Sequence, residues 1–148
     1  MSVESVVPGQ KILIVGREKE IQHGLIRFLS HAGFDISTAP DGPHAADNLA
    51  LHGADLVILR LWPCDVERCE TLEQIRRFSS VPVIGLVDPR DKEAALAGLD
   101  GGADQVMAEP PNFQELQARI RALLRRADVR SRPMRSPGSN AGGRGIAS

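Results

Sequence analysis

Residues 55–59 have the sequence DLVIL, and this stretch decides the fold. Its apolar side chains follow one another without polar alternation, which is typical of a strand buried on both faces of a parallel sheet. KILIV at residues 11–15 and VPVIGL at residues 81–86 have the same character. We therefore predict that these three runs form the centre of one parallel sheet.

Outward from this centre, two weaker apolar runs complete a regular alternation along the chain. They are FDIST at residues 34–38 and DQVM at residues 104–107. A helix-length segment follows each of the five runs, at Glu18–Ala32, Pro43–His52, Thr71–Ser79, Asp91–Leu99 and Asn112–Arg126. Strands and helices in this order, joined by right-handed crossovers, predict an α/β domain of the (βα)5 type with helices on both faces.

Glycine, proline and asparagine residues mark the ends of these predicted helices. Gly33 and Gly53 follow the first and second helix, where a glycine commonly takes the left-handed conformation. Pro43 suits a first helical turn, and Asn112 precedes the last helix as an N-cap residue. These residues support the helix boundaries independently of the apolar pattern.

The charge is divided unevenly along the chain. The net charge is −1, but residues 125–148 carry six Arg and one Asp, which leaves residues 1–124 with a net charge of −6. Residues 127–148 have too few apolar side chains to form a core, so we expect a disordered basic tail or linker. The predicted domain is then residues 11–126, preceded by an N-terminal extension at residues 1–10.

Membrane insertion, export and a disulfide scaffold are not predicted. No run approaches the roughly 20 apolar residues of a membrane span, and the N-terminus lacks a basic segment followed by an apolar one. We therefore expect a soluble cytoplasmic protein. Cys64 and Cys69 are the only cysteines and lack the company that a zinc site requires. We expect two reduced thiols in a loop, with a redox pair as the alternative.

Several segments resemble the receiver domain of bacterial two-component response regulators. They are KILIV, DLVILRL, VPVIGLV, GLDGGADQV, the Glu109-Pro110 pair and ELQARIRALLRR. The last is most similar to the winged-helix transcription-factor subfamily. The resemblance covers residues 11–126 and implies a flavodoxin-like sheet of strand order 2-1-3-4-5. Its functional crevice would lie at the carboxyl ends of the central strands.

The chain departs from that family at five site positions. Gly16 and Arg17 stand where the resemblance implies two Mg²⁺-binding acids, and Arg60 stands at the phospho-accepting aspartate. Val87 replaces a Ser or Thr, and Glu109 replaces a Lys. Mg²⁺ requires hard oxygen ligands, and a guanidinium is not nucleophilic. We therefore predict no metal, no cofactor and no catalytic residue.

Two further positions, Glu18 and Val106, also bear on the comparison with the family's site. Glu18 is the one remaining acid beside the end of the first strand and makes no metal site alone. Val106 occupies the position of the family's switch aromatic. With Val87 lacking a hydroxyl, the family's phosphate-dependent switch is not expected to operate.

The charges of Arg60 and Glu109 are exchanged relative to the family's acid and base. We predict an ion pair between them, with Asp88 as a further partner, that holds the mouth of the crevice shut. The alternative is an Arg60 side chain that points into solvent. The resemblance also implies a cis peptide bond between Glu109 and Pro110.

A second set of residues bears on the surface through which the domain could bind another protein chain. The resemblance implies a dimer face on the fourth helix, fifth strand and fifth helix, at Asp100, Asp104, Glu115, Arg119 and Arg126. Ala95 lacks the base usual there, so we expect a weak or altered homodimer. The arginines of the last helix are interpreted as a solvated surface that does not bind nucleic acid, and the role of the basic tail stays open.

Other interpretations have less support. IVGREKE has one glycine where a dinucleotide site needs three, and the Asp-x-His-x-x-Gly signature of vitamin-B12-binding domains is absent. The segment LWPCDVERCETL, residues 61–72, is interpreted as a long loop over the mouth. Trp62 is expected to anchor it or lie in the core.

Three functional hypotheses remain. The first is a pseudo-receiver, a phosphorylation-independent module that binds a protein partner. The second is the regulatory half of a winged-helix transcriptional regulator whose DNA-binding domain is absent from this chain. The third is a sensor that holds a small anion on Arg17 and Arg60. The sequence specifies neither the partner nor the signal.

Overall fold

The computed structural model describes residues 9–17, 23–61 and 66–131, with the backbone alone for 66–69 and 128–131. The strands are β1 Lys11–Val15, β2 Asp35–Ala39, β3 Leu56–Arg60, β4 Val83–Val87 and β5 Gln105–Ala108. The helices are α1 His23–His31, α2 Gly42–Leu51, α3 Val66–Phe78, α4 Lys92–Asp100 and α5 Phe113–Ser131.

All neighbouring strands of the sheet are parallel, in the order β2-β1-β3-β4-β5. The predicted fold class and strand order are confirmed. Every residue of β3 and β4 is buried, as a strand covered by helices on both faces requires.

The central strands direct alternate side chains into two cores, because successive side chains of a strand point to opposite faces. The core under α1 and α5 contains Ile12, Ile14, Leu56, Ile58, Ile84, Leu86, Leu25, Leu29, Leu116 and Ile120. The core under α2, α3 and α4 contains Leu13, Val15, Val57, Leu59, Val83, Val87, Ala45, Leu72, Ile75 and Ala94.

The helix ends follow the sequence signals. Asn112 Oδ1 accepts a hydrogen bond from Glu115 N at 2.9 Å, and Pro43 lies in the first turn of α2. Gly33 and Gly53 have φ of 106° and 71°, the left-handed conformation predicted for them. Among the described residues, no helix combines the length and apolarity needed to cross a bilayer.

The segment after β3 differs from the prediction, because α3 begins at Val66 and not at Thr71. The predicted loop 61–72 is therefore wrong in its second half, and Cys69 lies in a helix. Glu and Arg in this stretch favour helix, and the helix buries Leu72 and Ile75 against the sheet.

The described elements reach from β1 into the predicted tail. β1 begins at Lys11, while α5 continues past Arg126 to Ser131. The rest of the predicted tail, residues 132–148, and residues 1–8 lie outside the described residues.

Candidate functional site

Four strands bring the predicted site positions to one edge of the sheet. Gly16 follows β1, Arg60 ends β3, Val87 ends β4 and Glu109 follows β5. Glu109 N donates a hydrogen bond to Val87 O at 2.8 Å, which fixes the chain after β5 beside the end of β4. We call this edge the mouth. It comprises Gly16, Arg17, Arg60, Val87 and Glu109.

Arg60 and Glu109 form an ion pair across the mouth. Arg60 Nε lies 2.9 Å from Glu109 Oε1 and 3.1 Å from Oε2, and the two side chains are 10% and 12% exposed. Oε2 accepts the hydrogen bond, whereas Oε1 is nearer but off the N–H direction. The structure therefore brings together the two residues whose charges are exchanged. The Glu109-Pro110 peptide bond is cis.

Burial makes each charge of this pair depend on its partner. Removing a carboxylate or a guanidinium from water is strongly unfavourable unless an opposite charge compensates. Glu109 Oε1 is buried and accepts no hydrogen bond from the described residues, so charge attraction to Arg60 is the compensation that the geometry shows. The pair links the end of β3 to the segment after β5.

Asp88, which the sequence predicts as a further partner in the ion pair, is oriented by Arg90. Its carboxylate accepts hydrogen bonds from Arg90 N, Nε and Nη2 at 2.9, 3.1 and 3.0 Å. These contacts hold the Asp88 side chain against the turn between β4 and α4.

A small cavity lies on the β1 side of the mouth. Its volume is about 20 Å³, room for about one water molecule. A space of this size does not favour the small-anion hypothesis. The lining residues are Val15, Gly16, Arg17, Pro40, Asp41, Leu59, Arg60 and Thr71.

Asp41 in this lining is the N-cap residue of α2. Its carboxylate accepts hydrogen bonds from His44 N at 2.9 Å and pairs with His44 Nδ1 at 2.7 Å. The hydrogen bond from the His44 backbone is the largest cause that lowers the pKa of Asp41, and the charge of Arg17 lowers it further. The sequence signal for this cap was the Asp-Gly-Pro start of the helix.

Hydrocarbon side chains fill the region behind the mouth. Val87 is buried, and Val106 packs partly buried against the core under α4. Leu61 lies in a slot between β4 and α4. A Cβ atom on Gly85 or on Gly98 would lie 2.7 or 2.8 Å from Leu61 Cδ1, so a side chain at either position would require Leu61 to shift.

The predicted interaction face carries ion pairs within the chain. Arg119 Nη2 lies 2.8 Å from Glu115 Oε2, and Arg119 Nη1 donates to Gln105 Oε1 at 2.6 Å. Asp100 and Arg126 are exposed. On α4, Leu96 and Leu99 are 63% and 47% exposed, a feature that the sequence reasoning missed.

Asp104, assigned to that face from the sequence, is exposed and also binds α3. Its Oδ2 lies 2.8 Å from Arg76 Nη2 and accepts from Val83 N at 2.8 Å. Arg76 also donates to Gly102 O at 2.8 Å and to Val81 O at 2.5 Å. This cluster links α3 to the starts of β4 and β5, and no short-range pattern announced it.

Three singled-out residues, Glu18, Trp62 and Cys64, lie outside the described residues, and of Cys69 only the backbone is described. Within residues 9–17, 23–61 and 66–131, no group of three His, Cys, Asp or Glu side chains is arranged to hold a metal ion.

Comparison with known proteins identifies one family. The family model described as "Response regulator receiver domain" matches residues 12–121. The response regulator ArlR of Staphylococcus aureus is 37% identical over 116 residues, which are 78% of this chain and 53% of ArlR. The chain thus spans about half the length of the curated relatives it matches.

Solved structures agree in fold. A two-component response regulator from Clostridium difficile has a TM-score of 0.72 and 26% identity, over 80% of this chain and 98% of that one. NtrX from Brucella abortus has a TM-score of 0.74 and 22% identity, over 82% of this chain and 28% of NtrX. The second likeness supports the fold alone.

Proposed function

This chain belongs to the response regulator receiver domain family, and we propose that it is a pseudo-receiver. In this role it would transmit a signal by binding a protein partner, without aspartyl phosphorylation and without catalysis. The observation that carries the proposal is the shielded ion pair between Arg60 and Glu109 at the end of β3.

The chemistry of the mouth supports this proposal. Phosphoryl transfer to a side chain requires a nucleophile, cations that stabilise the developing charge, and space for the phosphoryl group. Arg60 offers a protonated guanidinium in place of a nucleophile. Glu109 is an anion where a cation would be needed, and the adjacent cavity has a volume of about 20 Å³. Each of these features opposes the reaction.

The test is phosphorylation by acetyl phosphate with Mg²⁺, followed by intact-mass measurement. We expect no change in mass, while the receiver domain of ArlR serves as the reference for the assay. The Arg60→Asp variant should also fail, because Gly16 and Arg17 still supply no acids for Mg²⁺. A stoichiometric, acid-labile gain of one phosphoryl group by the unmodified chain would refute the proposal.

The face formed by α4, β5 and α5 is the proposed partner surface. Leu96 and Leu99 expose apolar area on α4, and Asp100 lies beside them at the end of the helix. Glu115 and Arg119 already pair with each other, so fewer charges are available for interlocking pairs with a second copy. A different protein that buries the two leucines is favoured over a homodimer on this face.

Pull-down from the native host tests this surface. The Leu96→Glu variant should lose partners that the unmodified chain retains, whereas Leu51→Glu, which changes an even more exposed leucine on α2, should keep them. Equal retention by both variants would exclude the α4 face.

A second candidate is the regulatory half of a winged-helix transcriptional regulator. It is favoured by the length of ArlR, of which this chain matches 53%. The gene sequence beyond Ser148 tests it, since a winged-helix segment in the same reading frame is the expected result. A stop codon there would remove this candidate.

A further inference from the structure

A groove separates the ends of α2 and α3 on the side of the molecule opposite the mouth. Its volume is about 470 Å³, and its lining is mostly apolar, with Ala46, Leu49, Ala50 and Ala54 among the lining residues. Ala54 precedes β3 and Ser79 precedes β4, so the groove lies at the amino edge of the sheet. It is therefore separate from both the mouth and the α4 face.

Phe78 stands at the wall of this groove. It is the last residue of α3 and is 74% exposed, although it belongs to the residue class most often buried. The groove thus carries both an apolar hollow and an apolar projection on one patch. A patch that contains a projection and a hollow of matching chemistry can pair with its own copy about a twofold axis.

The charges at the rim are also self-complementary. Asp47 lines the groove, and Arg77 directly precedes Phe78 and is exposed. Within the part of the chain that the structure describes, neither side chain has an ion pair or hydrogen bond. If Phe78 of one copy enters the groove of another, Arg77 is carried to the rim on which Asp47 lies. The twofold axis repeats this contact.

We propose that the α2–α3 groove is a self-association surface, in which each copy inserts Phe78 into the groove of its partner and Arg77 pairs with the partner's Asp47. This inference does not rest on the pseudo-receiver proposal, because it uses none of the residues of the mouth or of α4. Its expected product is a reversible, symmetric dimer.

Sedimentation velocity of the full chain over a range of concentrations measures this association. We expect a monomer–dimer equilibrium. Phe78→Glu should weaken it by about tenfold or more, as removal of a central aromatic contact does. Since Phe78 is exposed, circular dichroism should show an unchanged fold. A chain that stays monomeric at millimolar concentration would overturn the proposal.

Charge reversal tests the pairing. Asp47→Arg and Arg77→Asp should each weaken the dimer several-fold, because like charges then meet. The double variant, Asp47→Arg with Arg77→Asp, should regain the original affinity, since the ion pair is restored with its two charges exchanged. Failure of the double variant to recover would contradict the proposed contact.

Leu96→Glu is the matched control, since it places the same charge on the α4 face. It should leave the dimer unchanged. Loss of the dimer in Leu96→Glu, with retention in Phe78→Glu, would instead assign association to the α4 face and would overturn the groove as its site.

Discussion

The Arg60 guanidinium faces both carboxylate oxygens of Glu109, within 2.9 and 3.1 Å of Nε. These residues are distant in sequence, yet they meet because Arg60 ends β3 and Glu109 directly follows β5. Because both side chains are about nine-tenths shielded, neither can recover its hydration if the other is removed. This dependence can be measured.

We expect Arg60→Ala and Glu109→Ala each to lower the free energy of unfolding by about 3 kcal/mol, because each removes an opposite charge from beside a shielded one. The double variant should lose clearly less than the sum, with a coupling of about 1–3 kcal/mol. Denaturant unfolding measures all four proteins. A parallel double-mutant cycle that combines Arg60→Ala with Asp88→Ala measures any coupling between Arg60 and Asp88. Additive losses of stability in both cycles would rule out an ion pair that holds the mouth shut.

The slot for Leu61 makes Gly98 unusual among helical glycines. Gly24→Ala in α1 should raise stability by up to about 1 kcal/mol, because the nearest atom to the new methyl lies 3.8 Å away. Gly98→Ala should instead lower it by about 1–3 kcal/mol, since the methyl would lie 2.8 Å from Leu61 Cδ1.

Thermal unfolding of the two variants provides the comparison. Adding Leu61→Ala to Gly98→Ala should remove the clash, so the double variant should be more stable than the sum of its single changes. Equal effects of Gly24→Ala and Gly98→Ala would show that α4 shifts freely and that the slot imposes no constraint.

The Arg76 cluster predicts a contrast between adjacent residues. Arg76→Ala should cost about 2–3 kcal/mol of stability, because carbonyl groups of Gly102 and Val81 lose their donors and Asp104 loses its cation. Arg77→Ala, next to it but exposed, should change stability by less than about 0.5 kcal/mol. Chemical denaturation measures both, and similar losses would contradict the role given to Arg76.

The cap of α2 predicts a dependence on pH. The folded pKa of Asp41 lies below its usual value, so its charge stabilises the fold above about pH 4 and this contribution is lost as the pH falls. Asp41→Asn keeps a capping oxygen but no charge. The stability difference between the unmodified chain and this variant should therefore shrink on acidification.

Unfolding curves at pH 3 to 7 follow this difference. Asp47→Asn removes the same charge from α2 without a bond to His44, and its curve provides the reference. Asp41→Ala should lose about 1 kcal/mol at every pH at which the capping hydrogen bond exists. A pH-independent difference for Asp41→Asn would contradict the charged cap.

The sheet was predictable from its sequence because strands buried on both faces need continuous apolar runs, and KILIV, DLVIL and VPVIGL are such runs. The contact between Arg60 and Glu109 was predicted from the resemblance to receiver domains, which implies an acid and a base at these two positions and has their charges exchanged here. The first prediction thus rests on the place of residues in their own strands, and the second on the family.

The contacts that were missed depend on residues from separate elements. The ion pair of Asp104 with Arg76 of α3 was missed, because nothing in the sequence around Asp104 points to a residue 28 positions away. The slot for Leu61 requires two glycines on different elements, and neither glycine is distinctive alone. The start of α3 was missed because Pro63 and two cysteines obscured the helical pattern before Thr71.

The exchanged pair at the mouth also constrains the routes by which this sequence can change. Arg60→Asp alone would set a carboxylate against Glu109, and Glu109→Lys alone would set two cations together. Either step passes through a destabilised protein in which like charges share a shielded space. Selection for folding therefore acts against a stepwise return to a phosphorylatable receiver, and the two positions are expected to change together or remain as they are.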